Sequence, residues 1–205
     1  EDGPTHMGGF DLSFLRCVPN LIVMTPSDEN LCRQMLYTGH QHIGPAAVRY
    51  PRGTGPGASV DTQMYELPIG KARIVRQSHA ENPVLILAFG PLLHEALIAA
   101  AASDATVVDM QFVKPLDEQL LSQLAPAASL VVTLEDNTIR GGAGSAVLEY
   151  LSAQHIQVPS LCLGWPDEYV EHGSAAQLMK EYKLDAAGIQ ASIAQHLAQL
   201  TQTAQ

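Results

Sequence analysis

Short apolar runs separated by helix-length stretches dominate the chain beyond its first third. Residues 84–89, 105–110, 130–134 and 158–163 are nearly continuous hydrophobic runs of strand length. The spacing between and after them predicts helices over 92–102, 117–124, 143–152 and 175–182. Strands that are apolar on both faces and alternate with helices predict an α/β fold with a mainly parallel sheet covered on both sides. A final helix is predicted after Asp185, where Ile189, Ile193, Leu197 and Leu200 form one apolar stripe that should dock on that sheet.

The first third has a different texture. Residues 21–24 form a short apolar strand, and 46–50 read as another that stops at Pro51, which lacks the ladder donor. Between them a helix is predicted with Ser27 as N-cap and Asp28 and Glu29 on its first turn, where the helix dipole favours negative charge. Its Leu31, Met35 and Leu36 are spaced for one buried face. From Gly53 the chain reads GTGPGASVDTQMYE, too rich in Gly and Pro at its start for a helix or a central strand. This pattern predicts a first region over 1–53, a linker over 54–66 and a second region over 67–205.

Composition narrows the function. A formal charge of −10 argues against tracking nucleic-acid phosphates and against anionic membranes, while leaving room for one local Arg to hold a small phosphate. No apolar run approaches the roughly 20 residues that span a bilayer. The three cysteines, Cys17, Cys32 and Cys162, form no CxxC pair, which predicts a reducing cytoplasm and small apolar fillers, not a disulfide framework.

Four segments could carry chemistry. In the first, Asp2 and His6 lie on a loop shaped by Gly and Pro; a histidine there can pass protons, and Asp2 can orient it or bind a hydroxyl. A loop histidine beside a turn-forming aspartate accounts for the same pattern, and a metal site lacks Cys or Glu ligands at suitable spacing. In the second, Arg52 follows a strand end and Pro51 and is placed to reach a phosphate, whereas Arg49 reads as a structural ion-pair partner. A salt-bridged surface arginine is the plainer account of Arg52. The third, Glu135 to Ser145, carries a GGxGS step before a helix; it has neither the dinucleotide nor the P-loop spacing, so close packing of loop, helix and sheet is favoured over phosphate binding. The fourth, Trp165 to Gly173, is a polar-aromatic loop suited to an interface, to substrate access or to packing.

Together these segments resemble one family. DGPTHMGGFDLSFLRCVPNLIVMTPSDEN and AVRYPRG are similar to the pyrimidine-binding domain of the 1-deoxy-D-xylulose-5-phosphate synthases. VVDMQFVKPLD, TLEDNTIRGGAGSAV, GWPDEYVEHG and LDAAGI are similar to their transketolase-type C-terminal domain. The resemblance implies the C-terminal part of the pyrimidine-binding domain over 1–53. It implies condensation of pyruvate with D-glyceraldehyde 3-phosphate, with loss of CO2, in isoprenoid-precursor, thiamine and pyridoxal biosynthesis. It also implies a homodimer using thiamine diphosphate and Mg²⁺. His6 matches the family's active-site histidine, Asp2 a substrate-contacting aspartate and Arg52 the arginine that anchors the aldehyde's phosphate. The family's GDG…N diphosphate and metal motif and its activating glutamate have no match here, so the cofactor and metal would be gripped by an N-terminal part outside these residues, and the chain reads as an inactive fragment by itself. Asp136 stands where a second Glu is expected. Two rivals remain: a non-catalytic dimerisation module, which would not need the DGPTH and YPRG segments, and a transketolase proper.

Overall fold

The computed structural model describes residues 3–203. The chain forms α1 (Asp11–Leu15), β1 (Ile22–Met24), α2 (Glu29–Gln41), β2 (Ala46–Val48), β3 (Arg73–Arg76), β4 (Val84–Phe89), α3 (Leu93–Ser103) and β5 (Thr106–Asp109). It continues through β6 (Phe112–Lys114), α4 (Glu118–Leu124), β7 (Leu130–Thr138), α5 (Ala143–Ala153), β8 (Ser160–Trp165), α6 (Ala175–Glu181) and α7 (Ala186–Thr203).

The larger sheet has the order β3-β5-β4-β7-β8. Its last four strands are mutually parallel, and β3 closes one edge antiparallel to β5. The central strand β4 is buried along its whole length. Strand alternation divides it between two cores. Val84, Ile86 and Ala88 face the layer of α3 and α7, where Ala96, Ala100, Ile189 and Ile193 pack. Leu85, Leu87 and Phe89 face the opposite layer, with Leu12, Leu121, Val147 and Leu151 from α1, α4 and α5. The predicted stripe on the last helix thus lies on the first core.

A smaller sheet has the order β2-β1-β6. Strand β2 runs parallel to β1, and β6 runs antiparallel to it. Phe112 of β6 completes the small core of Ile22, Met24, Leu31 and Met35. The stretch over 54–66 lies along α2. Glu29 accepts from the amides of Gly57 and Ala58, Arg33 donates to the carbonyls of Asp61 and Thr62, and Gln34 accepts from the amide of Tyr65.

Several expectations need correction. Asp28, not Ser27, caps α2, accepting from the Leu31 amide at 2.7 Å. Ser27 instead donates to Asp109 at the end of β5, a partner 82 residues away. Leu36 is 54% exposed, one step round the helix from buried Met35. The 46–50 strand ends at Val48, and the run from Leu130 continues to Thr138 because Glu135, Asp136 and Asn137 are buried strand residues with partners. The short strands β3 and β6 and the single-turn α1 carry too little periodicity to predict. All three cysteines are free, but Cys17 is exposed and is no core filler.

Candidate active site

The loop before α1 begins with a 3-10 turn over Gly3–Thr5. Gly3 has φ +67°, and a Cβ there would meet the His172 ring 2.3–2.6 Å away, so only glycine suits this turn. The loop is docked at several points. The carbonyl of Gly9 accepts from the Thr138 amide at 2.6 Å, and Met7 Sδ accepts from the Val170 amide at 3.2 Å. The Leu12 amide donates to Asn137 Oδ1 at 3.2 Å, and the rings of Phe10 and Tyr169 meet edge to face.

His6 stands exposed on this loop, with Thr5 Oγ1 2.9 Å from its Nδ1. Arg52 is exposed on the turn that follows β2. Both line one cleft of about 450 Å³, walled by Gly3, Tyr50, Trp165 and Glu171. Two predicted site residues, from segments far apart in sequence, therefore share a cavity. The third, Asp2, lies outside the described residues.

The cleft has an ionic base. Arg49 Nε donates to both carboxylate oxygens of Asp11, at 3.2 and 3.1 Å. Its Nη1 donates to Asp136 Oδ2 at 2.8 Å. Asp136 Oδ1 accepts from the Trp165 indole at 2.8 Å. Burial works to lower the Arg49 pKa, but the charges and hydrogen bonds of Asp136 and Asp11 outweigh it and raise it. Arg49 is thus the structural ion-pair partner that its position predicted, while Asp11 and Asp136 were missed. Their partner is 38 and 87 residues distant, so no local spacing announces the cluster.

Beneath this base, the GGxGS step packs closely. Glu135 Oε2 accepts from the Ala143 amide at 2.7 Å and Oε1 from the Gly144 amide at 2.9 Å, so the chain's own carboxylate fills the N-terminus of α5. Desolvation pushes Glu135 up to about 7 despite these donors. A neighbouring cavity of about 680 Å³ lies between α2 and residues 50–56, and Tyr50, Pro51 and Gly53 line both cavities. Among the described residues no group of three or more His, Cys, Asp or Glu side chains could hold a metal ion, and no helix is long and apolar enough to cross a membrane.

This two-sheet architecture, with a cleft built from the first loop, the turn after β2 and the end of β7, is that of a transketolase-type protein. The chain belongs to the transketolase family: residues 70–189 match the model of the transketolase C-terminal domain, and residues 1–57 match that of the transketolase pyrimidine-binding domain. Among curated proteins it is similar to the 1-deoxy-D-xylulose-5-phosphate synthase of Chromobacterium violaceum, at 58% identity over 96% of this chain and 32% of that protein. It is likewise similar to the synthase of Pseudomonas fluorescens, at 58% identity over 98% of this chain and 31% of that protein. The chain therefore spans about a third of the length of these relatives. A solved structure described as a split gene transketolase, inactive beta4 tetramer, superposes with a TM-score of 0.74 at 29% identity, covering 92% of this chain and 61% of the other.

Proposed function

We propose that this chain forms the substrate-facing part of a 1-deoxy-D-xylulose-5-phosphate synthase, which condenses pyruvate with D-glyceraldehyde 3-phosphate and releases CO2. The observation that carries this reading is the shared cleft. An imidazole able to move protons and a guanidinium able to fork onto a phosphate line one cavity, on segments that match the family. In this role Arg52 holds the phosphate of the aldehyde substrate. His6 holds or moves a proton at the reacting oxygen, and Asp2 contacts a substrate hydroxyl.

Thiamine diphosphate, when bound, supplies the carbanion chemistry. The family's GDG…N motif has no match in this sequence, so Mg²⁺ and the diphosphate would be held by the rest of the complete protein. The complete protein would be this chain with the upstream part found in its relatives, acting as a cytoplasmic homodimer. The residues over 1–53 would be the end of the pyrimidine-binding domain, 54–66 the connection and 67–205 the C-terminal domain.

The test is turnover by the complete protein. Pyruvate with glyceraldehyde 3-phosphate should give CO2 and the deoxyketose phosphate, and His6→Ala should lower the rate about 10²-fold or more. Activity with a ketose-phosphate donor in place of pyruvate would instead identify a transketolase proper. A near-wild-type His6→Ala rate would remove His6 from the chemistry.

A further inference from the structure

We infer that Arg49 is a positioning residue that fixes the Arg52 turn relative to the His6 loop and so sets how well the cleft holds a phosphorylated acceptor. This rests on the function proposed above.

Arg49 sits at the end of β2, three residues before Arg52, and its amide extends the strand ladder by donating to the Met24 carbonyl at 2.8 Å. Its guanidinium leaves the small sheet and reaches the other two components of the cleft. One edge meets Asp11, five residues after His6, and the other meets Asp136 on β7 of the large sheet. The His6 loop has its own anchors on β7 and on the loop after β8, through Gly9, Leu12 and Met7. The guanidinium adds a tie from that docked loop to the strand end that carries the phosphate arginine.

The tie is built to be rigid. The Arg49 side chain is 10% exposed and that of Asp136 11%, so both are shielded from water. Asp136 spends its second oxygen on the Trp165 indole, which fixes the carboxylate's orientation. The Trp165 ring in turn packs beside Gly9, where an added Cβ would sit 3.1 Å from it. A planar fork has the geometry to hold two carboxylates in fixed directions, and a lysine ammonium does not. The tie holds two substrate-binding groups at a fixed separation, and a misplacement on the order of 1 Å can cost about 10²-fold in rate.

The experiment uses Arg49→Lys in the complete protein, with D-glyceraldehyde 3-phosphate and unphosphorylated D-glyceraldehyde as alternative acceptors for pyruvate. The expected result is a fall of about 10²-fold in kcat/KM for the phosphorylated acceptor, with a much smaller change for the unphosphorylated one. In parallel, hydrogen exchange at the amide of position 49 should quicken by about tenfold or more, with β4 amides unchanged. Equal losses for both acceptors, or no loss, would overturn the proposal, as would unchanged exchange at position 49. Asp136→Asn keeps an acceptor for the indole and should give the same selective loss; it carries the test if Arg49→Lys does not fold. Absence of wild-type turnover would sink the proposed function itself, and the exchange measurement would still decide whether Arg49 is the tie.

Discussion

Glu135 is fully buried within a strand, yet it carries two backbone N–H bonds from the start of a helix. Desolvation dominates and raises its pKa from 4.5 to about 7, while the Gly144 and Ala143 amides and Asn137 pull the other way. Asp109 is pushed up to about 6 by burial, against the pull of Arg73 and Ser27. For both groups the folded state binds protons that the unfolded chain has already released. Their joint contribution to stability is therefore greatest at acid pH and is lost as pH rises through the folded values. Urea unfolding should give a higher midpoint near about pH 5 than near about pH 8, and Glu135→Gln should flatten much of that slope. A midpoint that rises over this window would contradict the assignment. Individual residues were the least legible level in the sequence. Ser27 looked like the cap because its hydroxyl is ordinary cap chemistry, but Asp109 claims it from 82 residues away. Glu135, Asp136 and Asn137 looked like a loop because three polar residues in a row rarely belong in a core. Their partners Ala143, Arg49 and Ser13 exist only once the sheets meet.

At the scale of elements, long periodic segments were legible and short ones were not. Strands β4 and β5 and helices α3 and α5 fall within a residue or two of their predicted ends, and α7 starts directly after Asp185 as expected, because each buries a regular apolar face. Strands β3 and β6 are three or four residues long and are defined by antiparallel partners rather than by their own pattern. The junction of β7 with α5 is the tightest contact among them. A Cβ on Gly142 would lie 2.0 Å from Glu135 Oε2 and 2.7 Å from the Thr138 carbonyl, one of them backbone that cannot swing aside. Gly142→Ala should cost about 1–3 kcal/mol, as overpacking does. For a chain of this size that is a fall of roughly 2–4 °C in Tm per kcal/mol, measurable by calorimetry. An unchanged Tm would mean that the GGxGS step packs more loosely than its geometry indicates.

For the whole molecule, the two regions meet in one cleft. The small sheet takes its third strand from the second region, and the turn after β2 is tied by Arg49 to the large sheet. The order of motifs along the chain made the family legible before any coordinates, because loop sequences such as DGPTH and YPRG are not dictated by the packing of a core. The ionic base of the cleft was not legible, since it joins three segments that no local pattern links. The account stands on the convergence of His6 and Arg52 in that cleft, with Arg52 serving the phosphate. The direct measurement is Arg52→Ala in the complete protein, with steady-state kinetics in each substrate. Loss of a charge-assisted contact of about 1.5–3 kcal/mol should lower kcat/KM for glyceraldehyde 3-phosphate by roughly 10- to 100-fold while leaving the KM for pyruvate nearly unchanged. An unaltered kcat/KM for the phosphorylated substrate would contradict the account.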